Sequence, residues 1–211
     1  MANKTGKTLK GTLPGQRHVT GPGGLSPAEF ALWYRDRTLE QWKGLDLAAV
    51  AGLAEAIERA ERAGRTVYVC GNGGSAATAS HIATDLSKTA ARPGKPLVRC
   101  VSLADNVPFI TAIGNDLSFD HIFSRQLENV LGPGDVLILV SGSGNSPNLL
   151  KAADLANARG AFTAGLLGFD GGKLKARVKL SLHVLSDQYG VIEDLHMAVG
   201  HVITFYLRQR R

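Results

Sequence analysis

At 211 residues and 22.3 kDa the chain has the size of one ordinary domain and is long enough to bury a sizeable core. Apolar residues make up 44% and charged residues 20%, which excludes a chain disordered throughout and one embedded in a membrane. The net charge of +6 sits at the two ends: residues 1–24 carry +4 and the last four carry +3, leaving 25–207 at −1, a poor match for nucleic acid as a partner.

Residues 1–24, rich in Gly, Pro, Thr and Lys and without apolar periodicity, read as a flexible basic arm. Residues 25–211 then read as one folded unit. Ser26-Pro27-Ala28-Glu29 is a capping-box start, so a helix is expected from Pro27 to Trp42. A second is expected from Leu47 to Ala63, ended by Gly64. Beyond it, short apolar runs alternate with helices. Strands are expected at Arg65–Cys70, Leu97–Leu103, Asp135–Val140, Phe162–Leu167 and Leu180–Leu185. Helices are expected at Ala76–Lys88, Asn106–Ile113, Phe119–Val130, Pro147–Arg159, Lys173–Arg177 and Val191–Leu207. Five apolar strands separated by helices imply an α/β fold with a five-stranded parallel sheet covered on both faces.

No wholly apolar run exceeds the five residues of Val136–Val140, far below the roughly 20 residues of a spanning helix. No apolar stretch follows a basic start, so no secretory leader is expected. Cys70 and Cys100 read as buried thiols in a reducing compartment. These features point to a cytoplasmic protein.

Two glycine-serine turns, Gly71-Asn72-Gly73-Gly74-Ser75 and Ser141-Gly142-Ser143-Gly144-Asn145-Ser146, each join a strand to a helix. Open α/β sheets bind ligands at that end of the strands. Glycines let the backbone approach an anion, amides at the helix start point at it, and the serine hydroxyls add donors. One such turn is as well explained by ordinary helix capping. Two at equivalent places favour a shared phosphate. The first turn satisfies the loose G-x-G-x-x-G/A dinucleotide pattern, but no acidic residue follows at the end of the next strand. No Gly-Lys-Ser/Thr follows either turn, which excludes the P-loop.

His81 and Asp85, four apart on the helix after the first turn, share one face. The last helix offers Glu193, Asp194, His196 and His201. Glu193 and His201 stand two turns and about 80° apart, whereas His196 and His201 are about 140° apart and point away from each other. Histidine and carboxylate on each of two helices suit zinc binding or divided acid and base roles. Ordinary surface pairs at helical spacing are the plainer alternative.

Cys70-Gly71-Asn72-Gly73-Gly74-Ser75 followed by His81-x-x-x-Asp85 resembles the signature of the sugar isomerase (SIS) domain, and within it the phosphoheptose isomerases. The resemblance continues through Gly114-Asn115-Asp116, Ile122-Phe123-Ser124-Arg125, the second turn and Gly168-x-Asp170-Gly171-Gly172-Lys173-Leu174. It ends at Glu193-Asp194-x-His196-x-x-x-x-His201 and spans about residues 45–207. It implies a three-layer SIS fold, N-terminal helices that bundle in a homotetramer, and isomerisation of sedoheptulose 7-phosphate to D-glycero-D-manno-heptose 7-phosphate. By family position Asp85 and His201 are the catalytic pair. Zinc falls to His81, Asp85, Glu193 and His201. The phosphate falls to Ser75, Ser141, Ser143 and Ser146 and the sugar hydroxyls to Asn72 and Asp116, with Gly73, Gly74, Asn115, Gly142 and Glu193 as further substrate-binding residues. The chain departs from the best-known members at Asp85, where they have Glu, at Glu193, where they have Gln, and at Gly190, where they have Asp. These departures leave open an isomerase of another sugar phosphate, or a phosphosugar-binding regulatory protein that docks a protein partner. Retention of His81, Asp85 and His201 argues for chemistry.

Overall fold

The computed structural model describes residues 21–210, so positions 1–20 of the expected basic arm lie outside the described residues. Helix α1 (Pro27–Lys43) starts at a reciprocal box: the Ser26 hydroxyl accepts the Glu29 N–H, and the Glu29 carboxylate accepts the Ser26 N–H. Asp46 caps α2 (Leu47–Arg62) by accepting the N–H groups of Ala48 and Ala49. The alternating part follows as β1 (Thr66–Gly71), α3 (Gly74–Thr84), β2 (Arg99–Ser102), α4 (Val107–Asp116), α5 (Ser124–Val130), β3 (Val136–Ser141), α6 (Pro147–Ala158), β4 (Phe162–Leu167), β5 (Leu180–His183) and α7 (Tyr189–Gln209).

All five strands are parallel, in the order β2-β1-β3-β4-β5. The sheet divides the core into two layers because strand side chains alternate. Val67, Val69, Val136, Ile138 and Val140 face α2, α3 and α7, while Tyr68, Cys70, Leu137 and Leu139 face α5 and α6. Every residue of the central strand β3 is buried, which is why that strand reads as an unbroken apolar run. This is the expected three-layer α/β architecture.

Three local expectations are corrected. The helix expected at Ala76–Lys88 changes to a π-helical turn at Asp85–Thr89. The stretch Phe119–Val130 divides into a 3-10 turn (Phe119–His121) and α5, and the break lets the adjacent Ile122 and Phe123 both enter the core. No helix forms at Lys173–Arg177. The Leu174 N–H is taken instead by the Gly144 carbonyl at 2.9 Å, so the segment is spent on bracing the second glycine-serine turn.

Helix α1 buries no residue and rests on α7. Phe30, Leu32, Leu39 and Trp42 remain exposed and do not cover the core of their own chain, whereas Tyr34 is half-buried and packs against it. No helix is long and apolar enough to cross a membrane among the described residues.

Candidate active site

The strand order reverses direction between β1 and β3, and the two glycine-serine turns leave the carboxyl ends of those two strands. That is the switch point at which doubly wound sheets open a ligand crevice. Gly73 adopts φ +56°, a conformation that side chains disfavour, and so sets the sharp exit from β1 into α3. The turns are tied to each other by reciprocal amide bonds. Asn72 Nδ2 donates to Asn148 Oδ1 at 3.0 Å, and Asn148 Nδ2 donates to Asn72 Oδ1 at 2.9 Å.

Within the second turn, the Ser141 hydroxyl accepts the Gly144 N–H at 3.0 Å and the Ser143 hydroxyl accepts the Asn145 N–H at 3.3 Å. Ser146 stands at the N-cap of α6 without making a capping bond, so simple capping does not explain that hydroxyl. Ser75, in the first turn of α3, is buried. The Tyr189 ring lies over Gly142, where a Cβ would meet it at 2.8 Å, and meets Phe169 edge-on with ring centres 4.8 Å apart. Phe169 holds φ +47°, a strained value for a bulky residue, and its carbonyl lies 3.1 Å from His183 Nε2.

Helix α3 carries His81 about 10 Å along its axis from the first turn, at 1.5 Å per residue. There His81 and Asp85 meet His201 of α7. The two Nε2 atoms are 2.9 Å apart, and Asp85 Oδ2 lies 3.5 Å from His81 Nε2 and 3.7 Å from His201 Nε2. Three ligand atoms from these residues all lie within 4.8 Å of one another. A tetrahedral zinc ion with ligands at about 2.0–2.2 Å holds its donors roughly 3.3–3.6 Å apart; the two Asp85–histidine spacings lie close to that, while the two imidazoles, 2.9 Å apart, would have to part by about 0.4 Å to admit the ion. The donor set of two imidazoles and a carboxylate is also a zinc set. Asp85 Oδ1 turns the other way and accepts the Thr89 hydroxyl at 3.0 Å.

Glu193, the fourth expected ligand, stands outside this triad. Its carboxylate lies against Gly74 at the start of α3, where a Cβ would sit 2.6 Å from Oε2. Burial, and then the neighbouring Asp194, raise its pKa above the ordinary carboxylate value. Asn115 and Asp116 lie exposed at the end of α4, where Asn115 Nδ2 donates to Asp116 Oδ1 at 2.8 Å. His196 takes no part in the triad. It is fully buried, with neither ring nitrogen hydrogen-bonded.

Two residues of this region leave little or no mark on the sequence pattern. Tyr34 of α1 donates to Asp194 Oδ2 at 2.7 Å and fills the space beside Gly190, where a Cβ would meet its hydroxyl at 2.7 Å. Burial and the Asp194 carboxylate hold that phenol well above its ordinary pKa. Asn148 is the other; its place two residues after Ser146, at the start of a helix, is the only hint that it belongs to the turn.

Residues 34–168 match the SIS domain family model. The chain is 44% identical over 155 residues to the phosphoheptose isomerase of Rhodospirillum rubrum, covering 74% of this chain and 82% of that protein. It is 42% identical over 164 residues to the phosphoheptose isomerase of Trichlorobacter lovleyi, covering 77% and 82%. Among solved structures, phosphoheptose isomerase GmhA from Neisseria gonorrhoeae superposes with a TM-score of 0.79 at 31% identity, over 87% of this chain and 97% of that one. A phosphoheptose isomerase from Francisella tularensis superposes with a TM-score of 0.80 at 27% identity, over 87% and 96%. With its glycine-serine turns at the sheet's switch point and its His-Asp-His cluster on α3 and α7, the chain belongs to the phosphoheptose isomerase family of SIS-domain proteins.

Proposed function

We propose that the enzyme converts sedoheptulose 7-phosphate to D-glycero-D-manno-heptose 7-phosphate through an enediol. The observation that carries this reading is the separation between the serine turns and the His81–Asp85–His201 triad along one helix, α3. That separation suits an open-chain sugar whose phosphate and reacting carbons lie at opposite ends.

The phosphate rests on the hydroxyls of Ser75, Ser141, Ser143 and Ser146, with the backbone of Gly73, Gly74 and Gly142 allowing close approach. Asn72, Asn115, Asp116 and Glu193 face the sugar hydroxyls. Isomerisation removes a proton from C1 of the ketose, and the electron pair forms the C1–C2 double bond as the carbonyl oxygen at C2 takes up a proton. The return step removes the proton from the C1 hydroxyl and delivers one to C2, leaving the aldehyde at C1. Asp85 acts as the base that carries the carbon-bound proton, and His201 relays the hydroxyl protons. Where zinc is bound, by His81, Asp85 and His201 with Glu193 as the proposed fourth donor, it supplies Lewis-acid polarisation of the substrate oxygens.

Residues 25–211 act as one SIS domain, and the functional unit is a homotetramer. Exposed apolar residues on α1 and on the outer face of α7 support this, among them Phe30, Leu39, Trp42, Val202, Phe205 and Tyr206. A phosphorylated substrate and free Cys70 and Cys100 suit the cytoplasm. Anion-exchange chromatography of sedoheptulose 7-phosphate incubated with the protein tests the activity: an aldose heptose 7-phosphate peak is expected, and an unchanged substrate at full zinc loading would refute it. Light scattering at micromolar concentration tests the assembly, and a monomer would refute the tetramer.

A further inference from the structure

The Asp85 carboxylate is divided between two kinds of partner. Oδ2 faces the imidazoles of His81 and His201, while Oδ1 accepts the Thr89 hydroxyl at 3.0 Å. The backbone is fixed at the same place. Asp85 opens the π-helical turn that closes at Thr89, and its carbonyl accepts the Ala90 N–H at 2.9 Å, five residues on. Wide turns of this kind are concentrated at functional sites. The backbone widening and the threonine hydroxyl therefore hold one carboxylate from both ends.

Threonine suits such a clamp because its β-branched side chain has a single stiff torsion. Asp85 is only 17% exposed, so water offers little competition for Oδ1. A carboxylate one methylene shorter than glutamate has fewer torsions of its own, and fixing Oδ1 leaves Oδ2 a single direction. That direction is toward the Nε2 atoms of the two histidines.

We propose that Thr89 is a positioning residue for the triad: by donating to Oδ1 it sets the rotation of the Asp85 carboxylate, presents Oδ2 to the two imidazoles, and so determines the affinity of the site for a divalent cation. The inference rests on the reading of His81, Asp85 and His201 as a metal-binding set. Outer partners that orient a metal ligand are worth about 10–100-fold in affinity.

The test is zinc affinity of the full-length, metal-free protein, titrated against a chromophoric chelator, which reads the site without turnover. Thr89→Val keeps the shape of the side chain and removes the hydroxyl. It is expected to weaken zinc binding about 10–100-fold. Thr89→Ser restores the hydroxyl and is expected to restore affinity close to wild type. Thermal unfolding of the metal-free proteins separates a local effect from a folding defect, and Thr89→Ala takes the place of Thr89→Val should the latter not fold. Equal affinity in wild type and Thr89→Val overturns the role of Thr89 and leaves the metal reading standing. Failure of Thr89→Ser to recover affinity also overturns the role of the hydroxyl. Absence of saturable zinc binding by the wild type overturns both, while the isomerase activity is decided separately by turnover.

Discussion

The Nε2 atoms of His81 and His201 lie 2.9 Å apart although 120 positions separate the two residues in the chain. Their rings meet edge to face, with centres 5.0 Å apart and planes inclined at 73°. Two imidazole lone pairs at that distance repel unless a proton or a cation lies between them. A proton on one Nε2, as in a neutral tautomer, makes the pair a hydrogen bond, and a bound cation would take that proton's place; Asp85 Oδ2 adds a negative group at the same point.

His201 is therefore expected to be indispensable while contributing little to the fold, since its side chain is 43% exposed. Replacement of an acid-base group costs about 10²–10⁴-fold in rate. His201→Ala should lose turnover by that factor and lose zinc affinity, with an unchanged circular dichroism spectrum. Steady-state kinetics and chelator competition check both.

Asp85→Asn preserves shape and removes the charge, so it isolates the carboxylate as base and ligand. A loss of about 10²–10⁴-fold in turnover is expected. Groups that act as a unit are not additive. The double variant Asp85→Asn, His201→Ala should accordingly be little slower than the poorer single one, as comparison of the three rates would show.

The Asn72–Asn148 pair predicts a different kinetic signature. Asn148 is buried, and Asn148→Ala leaves the Asn72 amide without its partner and unties the two turns. Loss of such a buried partner costs about 1–3 kcal/mol of stability. Because the phosphate end is loosened and the triad is untouched, KM should rise more than kcat falls. A variant with normal KM and depressed kcat would contradict the assignment of these turns to the phosphate.

His196 predicts a pH dependence of stability unrelated to catalysis. Burial pushes its pKa down to about 4, against 6.5 for the free side chain. Above pH 6.5 both folded and unfolded states hold it neutral, and it contributes no slope. As pH falls from about 6.5 toward 4 the unfolded state takes up the proton first, so stability declines by up to about 1.4 kcal/mol per pH unit. Urea unfolding at pH 7, 6 and 5 should show this decline in the wild type and a shallower one in His196→Leu. Parallel declines would contradict the assignment.

Much of the fold is legible in the sequence because its strands are buried on both faces. Phe162–Leu167 reads as a strand and forms one, and the Ser26–Glu29 box forms as its spacing requires. What escapes is decided by distant partners. The Lys173–Arg177 segment has a helix-like composition, yet Gly144, 30 positions earlier, takes the Leu174 N–H. The π-helical turn at Asp85 and the placement of Tyr34 beside Gly190, 156 positions away, leave no mark on periodicity. At the site, the i, i+4 spacing of His81 and Asp85 places them on one face, but nothing in that spacing points to His201. Its place in the triad comes from the family resemblance and from the packing of α3 against α7.

The most direct test of enediol chemistry at the triad is proton NMR of sedoheptulose 7-phosphate in D2O with the zinc-loaded enzyme and with Asp85→Asn. The wild type should generate an aldose anomeric signal and place deuterium at C1 or C2, and Asp85→Asn should do both about 10²–10⁴-fold more slowly. Exchange by Asp85→Asn at the wild-type rate would contradict the role of the carboxylate, and no exchange by a wild type that binds the sugar phosphate would contradict the isomerase itself.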